Sequence, residues 1–171
     1  MKPLALLVLV LCSFVVVAPS RAADSKEVQW RRWDAGLKQS AATNRPVLVD
    51  VYTQWCGWCK RMDRDVYSRN DVREYLGKRF VTVRLDAEAP DGALYDGKSY
   101  TEQSLASFFR VTGYPTTVFL RPSGEHLVNV PGYVPADRFL PLLRYIGDGY
   151  YDQGVSFDDF VKSTPESARK K

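Results

Sequence analysis

The chain has 171 residues, 45% of them hydrophobic and 26% charged, with a formal net charge of +4. That composition fits one globular domain and excludes a low-complexity or disordered chain. Lysines and arginines are interspersed with acids, and the one basic cluster, Arg169-Lys170-Lys171, reads as a solvated tail, so the charge does not point to nucleic acid.

Lys2 opens the chain, Leu4 to Val17 is an apolar run broken only by Cys12 and Ser13, and small residues surround Ser20, Ala22 and Ala23. That order predicts a signal peptide over residues 1–22, because the run is short for a membrane span of about 20 residues. Its removal takes Lys2 and Arg21 and lowers the net charge to +2. No stable membrane insertion is then expected. The globular domain is placed at 24–150, with a short helix and a disordered tail over 151–171.

Asp24 with Glu27 reads as a capping pair for a first amphipathic helix carrying Trp30, Trp33, Leu37 and Ala41 and ending near Asn44. "PVLVDVY" follows as a strand apolar enough to be buried on both faces. Its successor, "GWCKRMDRDVYSR", returns to helical spacing, and Asn70 opens a further helix through Leu76 that Gly77 can end. "RFVTVRLDAE" alternates as a strand, and 87–99, rich in Gly, Asp and Pro, reads as a loop or small hairpin. Thr101 caps a helix with Leu105, Phe108 and Phe109. "GYPTTVFL" and "HLVNVP" are strands joined by the turn "RPSGE", and Pro135 to Tyr145 is a last amphipathic helix before the short "SFDDFVKS". Strands alternating with helices predict an α/β fold: a central mixed β-sheet flanked by helices on both faces.

Removing Cys12 with the leader leaves Cys56 and Cys59, two residues apart where strand gives way to helix. A helix N-terminus presents unpaired N–H groups and partial positive charge, which stabilise a thiolate at Cys56. Cys59, about one turn on, lies within bonding range. A ring this small adds little loop-entropy stability, so the bridge suits opening and closing. A metal site is not expected: a closed zinc site wants about four ligands, and the lone His126 reads as a surface residue. Haem attachment needs a His where Lys60 stands. A purely structural disulfide is the alternative to redox exchange, and no cofactor is expected. Asp50, a carboxylate inside an apolar strand, should have a raised pKa useful for proton transfer.

Together "VLVDVYTQWCGWCK", "GYPTTVFL", "PSGE" and "VPGY" resemble the thioredoxin superfamily over about 45–145. The insert and the ending "LLRYIGDGYYDQGVSFDDF" resemble bacterial periplasmic thioredoxin-related proteins, including the branch associated with sulfur oxidation. The resemblance implies that Cys56 attacks, that Cys59 resolves the mixed disulfide, and that Asp50 moves the resolving thiol's proton. It also implies that Pro115 is cis and that Tyr114 presents its backbone to an extended substrate. Trp55 and Trp58 would form an apolar rim, with Gly57 allowing close approach. Exchange asks for an exposed Cys56 and a sheltered Cys59. The expected protein is a periplasmic monomer, secretion being the alternative, that reduces protein disulfides or carries electrons and is itself re-reduced by a membrane donor. A dithiol oxidase or isomerase, and a non-catalytic peptide-binding chaperone, are the competing readings. Gly57-Trp58 stands where cytosolic thioredoxins have Gly-Pro, and Arg64 where they have a helix proline.

Overall fold

The computed structural model describes residues 27–164. The expected leader, the Asp24 cap and the end of the tail lie outside the described residues. Helices α1 (Trp33–Thr43), α2 (Gly57–Met62), α3 (Asn70–Arg79), α4 (Glu102–Phe108), α5 (Ala136–Gly147) and α6 (Phe157–Ser163) alternate with strands β1 (Val47–Tyr52), β2 (Val81–Asp86), β3 (Gly92–Tyr95), β4 (Lys98–Thr101), β5 (Thr116–Leu120) and β6 (His126–Pro131). Four strands form one mixed sheet in the order β2-β1-β5-β6. Only the β1–β2 pair is parallel, and β3 and β4 make a separate hairpin. The mixed sheet is as expected, and the insert is the small hairpin.

β1 is central, and its alternation splits the core. Val47, Val49 and Val51 join Trp33, Val83, Leu85, Leu105, Phe109 and Val118 in one layer. Leu48 joins Met62, Val66, Leu76, Phe119, Phe139 and Leu143 in the other. Burying a Val or Leu side chain contributes about 1.5–3 kcal/mol, so these layers carry the fold. α1 packs so closely on β2 that a Cβ on Gly36 would lie 2.1 Å from Val83 Cγ2.

Two boundaries differ from expectation. The first helix begins at Trp33, not in the twenties, because Arg31 pairs with β2: its N–H donates to Thr82 and its carbonyl accepts from Arg84. Trp30 therefore precedes the helix and is not part of a helical stripe. Gly77 lies inside α3, which runs to Arg79 and ends where Phe80 becomes extended. At the other end, Phe160 of α6 packs on Tyr145 and Tyr150, which ties the C-terminal helix to the core.

Candidate active site

Cys56 is the N-cap of α2, with extended backbone and its sulfur accepting the Cys59 N–H at 3.0 Å. It is bonded to Cys59, the Cα atoms 5.3 Å apart. Cysteine at a cap supplies an acceptor to a free N–H, as Ser or Asp would, in the place where negative charge is stabilised. The expected contrast between an exposed first and a sheltered second cysteine does not hold: Cys56 is 3% exposed and Cys59 6%. The disulfide and the capping contact fold Cys56 back on the helix end. What projects instead is Trp55, 66% exposed, and Trp58, 54%.

Each tryptophan is anchored from a different side. Trp55 packs edge-on to Tyr114 at 6.0 Å and donates from Nε1 to Glu88 at 2.9 Å. Trp58 lies 5.5 Å from Tyr133, and the Arg61 guanidinium covers both rings at 5.1 and 5.2 Å. The Trp55–Tyr114 contact brings the cysteine loop against the Tyr114–Pro115 segment, whose peptide bond is cis. Pro115 accepts the Gly132 N–H, tying that segment to the end of β6. No protein atom lies within 4 Å of a Cβ placed on Gly57, so packing does not demand glycine there.

Asp50 is buried at 2% exposure, on the face of β1 that looks toward α2 and the turn after it. Burial is the largest effect on its carboxyl and pushes the pKa up to about 6. Arg84 opposes that rise, Asp63 adds to it, and the hydrogen bonds from Arg84 and Tyr67 oppose it. Arg84 is its cross-strand neighbour on β2 and donates from Nε to Asp50 at 3.2 Å, while Tyr67 Oη donates at 3.5 Å. Arg84 also donates from Nη2 to Asp63, and its guanidinium lies over Trp30 at 4.6 Å and Tyr52 at 5.3 Å. Burial disfavours the Arg84 cation, but Asp50 and Asp63 outweigh it, so its pKa is raised. Burial likewise pushes the Tyr67 hydroxyl well above its ordinary range, keeping it a donor.

Arg84, Tyr67 and Asp63 were not among the sequence candidates. Arg84 was the legible one: it interrupts an apolar strand at the alternate position that faces the helices, as Asp50 does. Tyr67 and Asp63 reach the site because α2 runs into a π-helical turn, Asp63–Tyr67, in which the Ser68 N–H donates to the Asp63 carbonyl. Arg64, the residue at the position of the missing proline, lies in that turn.

A buried cysteine pair capping a helix, a cis-proline segment beside it and a buried carboxylate on the strand that leads into it define a dithiol–disulfide site of thioredoxin type. The thioredoxin-like domain family matches residues 33–147, and the chain belongs to it. It is 34% identical over 112 residues to the thiol:disulfide interchange protein DsbD of Ralstonia nicotianae, covering 65% of this chain and 17% of that one. The disulfide bond reductase DsbH of Chlamydia pneumoniae is 23% identical, covering 68% and 69%, and chloroplastic thioredoxin Y of Oryza sativa subsp. japonica is 30% identical, covering 74% and 67%. The chain thus spans under a fifth of its DsbD relatives. A solved thioredoxin from Thermus thermophilus superposes with a TM-score of 0.62 at 28% identity, covering 75% of this chain and 94% of that one. Family and cysteine pair together give the chain a thioredoxin-like domain with a redox-type dithiol–disulfide pair.

Proposed function

We propose that the protein is an exported reductant of protein disulfides, or a carrier of electrons toward them, re-reduced by a membrane donor. The observation that carries the reading is the Cys56–Cys59 disulfide at the α2 N-terminus, flanked by exposed Trp55 and Trp58. Similarity to a protein named a disulfide bond reductase supports the reducing direction. The apolar run of 4–17 supports export, and the resemblance of the sequence to bacterial periplasmic thioredoxin-related proteins supports the periplasm. Among the described residues no helix is long and apolar enough to cross a membrane.

In the reduced protein the Cys56 thiolate attacks one sulfur of a substrate disulfide. That S–S bond breaks, a mixed disulfide forms, and the first substrate thiolate leaves and is protonated. Cys59 gives its proton to Asp50 and attacks Cys56. The mixed disulfide then breaks, the second substrate sulfur leaves as a thiolate and is protonated, and two electrons have passed from the dithiol to the substrate. Because Cys56 is buried in the disulfide state, a partner reaches it by docking on the tryptophan rim beside Tyr114 and Pro115. The test is Cys59→Ser: the variant should hold its substrate as a mixed disulfide on Cys56, removable by dithiothreitol. A variant that retains full activity and captures nothing marks a peptide-binding chaperone instead.

A further inference from the structure

Arg84 is shared between two carboxylates of different standing. Its Nε binds Asp50, which is 3% exposed at the side chain, and its Nη2 binds Asp63, which is 43% exposed. The guanidinium cannot drift freely, since Trp30 and Tyr52 lie against it and it is only 29% exposed. A guanidinium has five N–H donors and pairs best with a carboxylate through two parallel bonds. Here Asp50 receives one, and a second donor is spent on Asp63. The groups facing Asp50 are Arg84 from β2, Tyr67 and Asp63 from the π-helical turn, and the uncharged Thr117 opposite it on β5. Glu27 and Arg73 line the same cleft of about 400 Å³ as Trp30, Asp63, Tyr67 and Arg84.

We propose that Asp63 is a positioning residue. By taking one arm of Arg84, it prevents the buried Asp50 from being locked as a fully paired carboxylate, and so leaves Asp50 able to accept and return the proton of Cys59. This rests on the role given to Asp50 in the proposed function. In the step concerned the Cys59 S–H bond breaks, its proton goes to an Asp50 oxygen, the sulfur's electron pair forms the bond to Cys56, and the bond from Cys56 to the substrate sulfur breaks, its electrons leaving with the substrate as a thiolate. Asp63 and Arg84 exchange no proton; they set how strongly Asp50 holds one. Without the Asp63 charge, Arg84 stays between its two rings with Asp50 as its one carboxylate partner, and the repulsion of a nearby carboxylate is gone. Both changes favour ionised Asp50.

The experiment compares Asp63→Asn and Asp63→Glu with the unaltered protein. One readout is the Asp50 carboxyl titration followed by carbon NMR in the oxidised form. The other is the single-turnover rate of mixed-disulfide resolution from pH 5 to 8. Asp63→Asn should move the Asp50 midpoint down by about one pH unit, as gaining an undivided cationic partner does. The acid limb of the resolution rate should follow it. Asp63→Glu should restore both. A midpoint that stays in place or moves up in Asp63→Asn overturns the role of Asp63. A resolution rate without an acid limb in the unaltered protein, or one unchanged in Asp50→Asn, overturns the role of Asp50 instead, so the two failures are distinguishable.

Discussion

The two faces of β1 meet layers of opposite character. Val47, Val49 and Val51 look into a layer of aliphatic and aromatic side chains in which Trp33 is tied down only at its edge, by Nε1 donating to the Leu94 carbonyl. Leu48 and Asp50 look the other way, where Phe139, Met62 and Val66 share the space with Asp50, Tyr67 and the inner arm of Arg84. On the first face β1 itself contributes only apolar side chains, and burial of their surface dominates. On the second, a charge is held where water does not reach, at a cost that packing elsewhere must offset. A sheet that accepts such a cost on one face sets that face apart from the other.

Moving the carboxylate to the wrong side breaks the comparison most severely. Val49→Asp should destabilise the fold by about 5 kcal/mol or abolish folding, since a charge there meets no cation. Urea unfolding measures it, and a loss under about 1 kcal/mol would mean the faces do not differ as described. Next comes the pH dependence of stability. The Asp50 pKa is raised from an ordinary 3.8 to about 6. The folded state therefore binds the proton more tightly than the unfolded chain. The stability this adds is fully present below about pH 4 and is lost as pH rises through about 6, an effect on the order of 3 kcal/mol. Denaturation midpoints across pH 4 to 7 should show that decline, and Asp50→Asn should flatten it. Arg84→Leu should cost about 2–3 kcal/mol at pH 7 by leaving Asp50 without its cation, and less near pH 4, where Asp50 is already neutral. The smallest effect belongs to the rim: Trp58→Ala should change stability by less than about 1 kcal/mol while raising KM for a protein disulfide. An unchanged KM with a lowered Tm would assign Trp58 to packing.

The apolar face was readable almost residue by residue, because burial on both sides of β1 and the helical spacing of Leu105 and Phe109 are local signals. The cysteine pair, the Thr101 cap and the hairpin were legible for the same reason, and the cis bond at Pro115 entered through the family resemblance. The polar face was half legible. Asp50 announced itself by standing in an apolar strand, but its partners depend on register and winding. Arg84 meets Asp50 only because β1 and β2 pair in parallel at that position. The premature start of the first helix is a related error. Trp30 and Trp33 fit helical spacing, yet hydrogen bonds from β2 hold Arg31 extended, and tertiary pairing overrode the local pattern.

The wide turn from Asp63 to Tyr67 makes the site depend on how the chain is wound as well as on side-chain identity. Regular winding advances about 100° per residue, so rewinding the same residues as an unbroken α-helix would swing the side chains at its end around the axis by about that angle. Tyr67 would lose its aim at the buried acid with every atom of it intact. The winding of the polypeptide, not the choice of amino acids alone, thus keeps Asp50, Tyr67 and Arg84 assembled.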